Sequence, residues 1–371
     1  MARTALYLAG GGARGAYQAG VLKAIGHILQ VKKLPFDVIS GVSVGSINAA
    51  VLAEYANNFH EGLEKVEALW ADIRCEQIFN ASNYQLSKSV LRNISHLLIK
   101  HQQSGNLLDT SPLRDFITNI IDFDLIKANI ASNQIEALEI ISHCYESQQT
   151  ISFYEHSTTY FEDWHYPRHI SNNTNLCMEH ILASSALPLF FPPVCINGLH
   201  YGDGSMGLVS PLRGAIRFQV EKIMVIGTRQ PAVFQDPELL KHGEIGIANI
   251  LGGMLNGLFL DNLDRDIEMV NRMNDIAKLL SMWKKRRSPW RPIETFHLRP
   301  SFDIAAVAQA QYNSMPALLR MLLNSMGAKH HSGDLLSFLL FEPGFTRELI
   351  HLGYQDTLEQ AVEVHKFFGS N

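Results

Sequence analysis

Short apolar runs alternate with stretches of helical periodicity along most of this chain, the pattern of a largely parallel sheet with helices on both faces. Strands are predicted near Ala5–Ala9, Phe36–Ser40, Ala137–His143, Ile151–Tyr154, Cys195–Tyr201, Lys222–Ile226 and Thr295–Leu298, with helices between most of them. The first helix follows its strand at Ala16–Leu29. Asp109-Thr110-Ser111-Pro112-Leu113 opens another, with a capping hydroxyl, a proline in the first turn and an acid at the positive end of the dipole. Gln77–Leu108 is polar and poorly periodic, which fits a lid, a lipid-facing insertion or a plain surface excursion. The character changes after Ile245. Ile250, Leu251, Met254, Leu255, Leu258, Phe259 and Leu260 begin a helical stretch that continues amphipathically to Leu280, and Ser301–Phe368 reads as further amphipathic helices packed on the core. The expectation is an α/β fold in three layers, a mostly parallel central sheet with helices on both faces, plus a C-terminal helical annex.

Composition narrows the classes. At 371 residues, 46% hydrophobic and 18% charged, the chain can bury a substantial core in one large domain or two. A formal net charge of -5 gives no global attraction to nucleic acid or to anionic lipid, so any such contact is local. One local candidate is Trp283-Lys284-Lys285-Arg286-Arg287-Ser288-Pro289-Trp290, where cations framed by two indoles suit a membrane surface. The same residues also suit a solvated helix end whose cations complement the dipole. Cys75, Cys144, Cys177 and Cys195 are scattered without C-x-x-C spacing, which indicates neither a zinc site nor a disulfide framework. Met1-Ala2-Arg3 leads directly into the first strand with no room for a cleavable signal, and no apolar run approaches the roughly 20 residues of a membrane span. A cytoplasmic or peripherally membrane-bound chain is expected, and signal-independent export is compatible with this.

Three motifs carry candidate chemistry. Gly41-Val42-Ser43-Val44-Gly45 follows an apolar strand and opens a helical run, the strand-turn-helix setting of a G-x-S-x-G nucleophile elbow. A serine there has its hydroxyl pushed outward, and the helix behind it aims N–H groups and a positive dipole end at the site. Gly10-Gly11-Gly12-Ala13-Arg14-Gly15 links the first strand to the first helix. Bare backbone N–H groups with a cation beside them suit an anion or an oxyanion. The same letters satisfy G-x-G-x-x-G, yet the nearby acid, Asp37, stands at the start of the second strand and not at its end, where a dinucleotide ribose needs it. A structural glycine turn is the third possibility. Finally, Asp203 lies between Gly202 and Gly204, which leave its carboxylate reachable in a tight turn as a candidate base, although Asp-Gly is also a common turn signal. Sixteen histidines leave a His-based triad open, with His200 nearest to the aspartate in sequence.

Together these pieces resemble the patatin-like phospholipase family of lipid acyl hydrolases. The family's anion loop falls on Gly10–Gly15, its elbow on Gly41–Gly45 and its aspartate turn on Asp203-Gly204, with Ala183–Val194 similar to the segment that precedes that turn. Ser205 stands where the family usually has Gly or Ala, and Val209 where it often has Asn, while Pro211 is retained. The resemblance implies a Ser43–Asp203 dyad, an oxyanion hole from Gly10, Gly11, Gly12 and Arg14, and Gly15, Gly41, Gly45 and Gly204 as motif support. It also implies a phospholipid or lysophospholipid substrate and no metal or organic cofactor. Its span sets a catalytic domain at 4–230, followed by a mainly helical region at 231–371. An acyltransferase using the same serine remains open, as does a non-catalytic lipid- or nucleotide-binding protein; no nucleic-acid partner is expected, and the oligomeric state is not indicated.

Overall fold

The computed structural model describes residues 2–80, 108–157, 161–231, 246–259, 261–280, 291–325 and 333–369. The basic stretch Trp283–Trp290 and most of the polar stretch 77–108 lie outside these residues. Ten strands form one sheet: β1 (Thr4–Leu8), β2 (Val38–Val42), β3 (Ala137–Cys144), β4 (Gln149–His156), β5 (His165–Tyr166), β6 (His169–Asn173), β7 (Val194–Ile196), β8 (Leu199–Asp203), β9 (Lys222–Ile226) and β10 (Glu294–Leu298). The helices are α1 (Gly15–Leu29), α2 (Val44–Glu54), α3 (Phe59–Ala71), α4 (Cys75–Ile78), α5 (Ser111–Ile120), α6 (Phe123–Ala131), α7 (Met178–Ser184) and α8 (Arg213–Arg217). After them come α9 (Ile247–Phe259), α10 (Asp261–Leu279), α11 (Ile304–Ala310), α12 (Ala317–Ser325), α13 (Gly333–Leu339), α14 (Pro343–Leu358) and α15 (Ala361–Phe368).

The sheet runs β10-β9-β1-β2-β3-β4-β6-β5, and the five strands from β10 to β3 are mutually parallel. Both faces are covered, so these strands read as continuous apolar runs. One face packs Leu6, Leu8, Ile39, Leu138 and Ile140 against α1, α2 and α3. The other packs Ala5, Tyr7, Val38, Val42 and Ile141 against Leu212, Ala215 and Phe218 around α8, and against Leu263 and Val270 of α10. These two cores make the three layers.

Differences from the sequence reading are local. Cys195–Tyr201 reads as one strand but is two, because Asn197 and Gly198 take positive φ (51° and 82°) and turn β7 back on β8. Strand β6 was missed because His169–Asn173 lacks an apolar alternation; Arg168, at φ 64°, turns it back from β5. The stretch after residue 231 supplies β10, which pairs in register with β9 at the sheet edge. It also supplies α14, whose backbone closes on α1 so tightly that a Cβ on Gly20 would stand 2.0 Å from the Ile350 carbonyl oxygen.

The feature that positions the site is the long strand β3. Strand β2 pairs with its first half and stops at Val42, opposite Ile141. Strand β8 arrives antiparallel and takes up the vacated edge, with Asp203 opposite Ser142. The chain leaves β2 at Ser43. The nucleophile candidate, one residue past the Val42–Ile141 pair, and the acid candidate, opposite Ser142, are thereby brought to the same stretch of β3, although they stand 160 positions apart in the sequence.

Candidate active site

Ser43 occupies the turn between β2 and α2 with φ 53° and ψ -128°, a conformation that costs an ordinary residue about 1–3 kcal/mol. Several hydrogen bonds hold it there. Its N–H donates to Ser184 Oγ at 2.9 Å, and its carbonyl accepts from Ser46 N (2.9 Å), Ser46 Oγ (2.6 Å) and Ser185 Oγ (3.2 Å). The motif glycines serve close approach. A Cβ on Gly45 would meet the Leu8 carbonyl oxygen at 2.2 Å, and one on Gly41 would meet the Gly45 carbonyl. At Gly15 the neighbours are Val44 and Trp70, and at Gly204 the Ile141 carbonyl.

Asp203 is fully buried at the end of β8. Oδ1 accepts the Ser205 N–H at 2.9 Å, while Oδ2 has no hydrogen-bond partner among the described residues. Burial pushes the carboxyl pKa up to about 7, against the Ser43 hydroxyl and the Ser205 N–H and hydroxyl, which favour the anion. The Ser43 side chain is thus within interaction range of this carboxylate, and such contacts often tighten only when substrate is bound. No imidazole hydrogen-bonds either residue among the described ones. His200 is exposed and turned to Glu146, with 2.8 Å from Nδ1 to Oε1.

One short segment joins the two halves, and the sequence reading had not given its residues roles. Ser184 Oγ, besides accepting from Ser43, donates to the Ile141 carbonyl at 2.6 Å. The Ser184 carbonyl accepts the Gly204 N–H (3.3 Å) and the Ala186 carbonyl accepts the Asp203 N–H (3.1 Å). Ser184, Ser185 and Ala186 therefore bridge elbow and aspartate strand. The signal available was the pair of serines inside an apolar helix end, where buried hydroxyls need partners.

The glycine loop lies at the head of α1. Gly11 and Gly12 have positive φ (149° and 57°), and the loop is pinned by Thr228 Oγ1 on the Gly10 carbonyl (2.7 Å) and Gln18 Nε2 on the Ala9 carbonyl (2.7 Å). The N–H groups of Gly10 and Gly11 find no acceptor among the described residues. Gly12 and Ser43 line the same cleft. Arg14 does not. Its buried guanidinium bonds Ser337 Oγ (2.7 Å), Asn256 Oδ1 (3.2 Å) and Asp334 Oδ1 (3.3 Å), and lies 4.5 Å from the centroid of the Phe338 ring. Burial lowers its pKa to about 10, leaving it charged at neutral pH.

The cleft is narrow, with about 30 Å³ open to a water-sized sphere. Apart from Ser43 and Ser185, every side chain on its lining is apolar, and Trp70, Ile78, Leu113, Phe338 and Phe341 form much of the wall. A buried polar chain sets Trp70: its Nε1 donates to Asn48 Oδ1 (2.8 Å), and Asn48 Nδ2 donates to Gln18 Oε1 (2.9 Å). Among the described residues no group of three or more His, Cys, Asp or Glu side chains is placed to hold a metal, and no helix is long and apolar enough to cross a membrane.

A relative from Escherichia coli (strain K12), the uncharacterized protein YjjU, is 24% identical over 245 residues, covering 65% of this chain. The match spans 56% of the relative's own length. Among solved structures, VipD from Legionella pneumophila aligns with 98% of this chain and 67% of its own at 12% identity and a TM-score of 0.38. The family model described as patatin-like phospholipase matches residues 6–216, which hold the glycine loop, the elbow and the aspartate turn, and the chain belongs to that family.

Proposed function

We propose that this chain is a lipid acyl hydrolase of the phospholipase A or lysophospholipase type, cleaving glycerophospholipid acyl esters through a Ser43–Asp203 dyad. One observation carries the reading: a strained serine opens onto a largely apolar cleft, and behind it a buried carboxylate has its pKa raised to about 7. Apolar walls suit a fatty-acyl chain, whose carbonyl would sit at the one reactive hydroxyl. In this mechanism Ser43 Oγ attacks the ester carbonyl carbon while Asp203 takes its proton. The oxyanion is held by the N–H groups of the Gly10–Gly12 loop and the first turn of α2, with Arg14 anchoring that loop from behind. The tetrahedral adduct expels the alcohol, which recovers the proton from Asp203. Water then attacks the acyl-enzyme with the same base, releasing the fatty acid. No step requires a metal or an organic cofactor. Peripheral contact with a membrane, including any through Trp283, Lys284, Lys285, Arg286, Arg287 and Trp290, belongs to this proposal, since the substrate resides in one.

The test is direct. A fluorophosphonate probe should label Ser43, and Ser43→Ala should abolish both labelling and fatty-acid release from phospholipid vesicles. Asp203→Asn should lower kcat by roughly 10²–10⁴-fold, the range of a positioned general base, while single His→Ala variants stay active. Full activity in Asp203→Asn would remove the dyad.

A further inference from the structure

Two aromatic side chains of the cleft wall, Phe338 and Phe341, come from the C-terminal part of the chain, beyond the family-matched residues 6–216. They are held from two sides. On the catalytic side the backbone of Phe338 closes on the glycine loop, so that a Cβ on Gly12 would stand 2.2 Å from the Phe338 carbonyl oxygen. Arg14 reaches from the same loop to Ser337, Asp334 and the Phe338 ring, bracing α13 along its length. On the other side Phe341 stacks on Trp70 (centroids 6.4 Å apart, planes at 20°) and meets Phe79 edge-on (6.4 Å, 73°). Glu342 Oε1 accepts the Cys75 N–H at 3.4 Å, and the Leu339 carbonyl accepts Cys75 Sγ at 3.7 Å, which ties this end to α4.

Trp70 and Phe79 are themselves almost inaccessible, at 1% and 0% exposure, so the rings that Phe341 rests on are packed in the core. By contrast Leu69 and Phe116, elsewhere on the lining, are only half-buried. The cleft thus has one rigid aromatic boundary and one boundary that can adapt. We infer that Phe341 is the specificity-determining residue that sets how long an acyl chain the cleft accepts, and that Arg14 is a positioning residue that keeps its segment against the glycine loop. The inference rests on Ser43 being the nucleophile of the proposed reaction.

Kinetics on p-nitrophenyl esters from butyrate to palmitate, with the full chain, test it. Phe341→Leu should raise the ratio of kcat/KM for palmitate over butyrate by about tenfold, and Phe341→Trp should lower it by a similar factor, as expected when a few methylenes gain or lose room. Fluorophosphonate labelling of Ser43 is measured in parallel. A purely structural role for Phe341 would depress all esters by one factor in both variants, and that flat profile with labelling intact overturns the inference alone. Absence of labelling in the unaltered chain overturns the proposed reaction, and the inference falls with it. Because the two variants shift the profile in opposite directions, either one suffices if the other fails to fold.

Discussion

At the scale of single residues, the buried carboxylate of Asp203 has two pH dependences of opposite sign. Its folded pKa of about 7 stands above the ordinary 3.8, so the fold favours the neutral acid. Its contribution to stability is complete below about pH 3.8 and is lost as pH rises through 7, while the charged form that the proposed base requires appears only around pH 7. The acid limb of kcat/KM should therefore have its midpoint near pH 7, and the melting temperature should lose a component between about pH 3.8 and 7. Asp203→Asn should remove that component, which a melting series at several pH values will show. Ser43→Ala should raise the Asp203 pKa further, since the hydroxyl favours the anion, and carbon NMR of the carboxyl will detect it. Arg14 is a second residue whose role the geometry sharpens. Arg14→Lys keeps the charge but cannot make three separate bonds while stacking on Phe338, so roughly a tenfold loss of kcat/KM and a broader acyl-length profile are expected. Undiminished activity in that variant would point to the charge alone.

At the scale of elements, the elbow was legible because glycines at fixed spacing around a serine, after an apolar run and before a helical one, leave few alternatives. A Cβ on Gly45 would stand 2.2 Å from the Leu8 carbonyl oxygen, and the obstacle is backbone that cannot rotate away. Gly45→Ala should cost about 1–3 kcal/mol, lowering the melting temperature by roughly 5 °C and the Ser43 labelling rate with it. Boundaries were less legible. Strand β2 begins at Val38 and not at Phe36, because pairing with β1 and β3 and not local apolarity decides where the ladder runs. Within Cys195–Tyr201 the Asn197-Gly198 pair was a readable hairpin signal that the apolar continuity masked. The bridge from Ser184 to Ala186 was visible as sequence but not as function, since its partners lie on three other elements.

At the scale of the molecule, amphipathic periodicity told that the C-terminal helices bury a face, but not which surface receives it. That information lies in contacts such as Gly20 against Ile350 and Tyr17 Oη donating to Asp356 Oδ2 at 3.0 Å, which no local pattern encodes. A fragment ending at residue 230 would leave the α14-facing side of α1 bare and the sheet without β10. Such a fragment should bind a hydrophobic dye and aggregate where the full chain stays monodisperse, a comparison that light scattering can make. The shared edge of β3 reaches further than folding. Because β2 delivers Ser43 beside the point where β8 brings Asp203 onto β3, the spacing of the two candidates follows from the pairing of both strands with β3. If the two act as proposed, control of turnover would fall on the admission of substrate to the cleft and not on the assembly of the dyad.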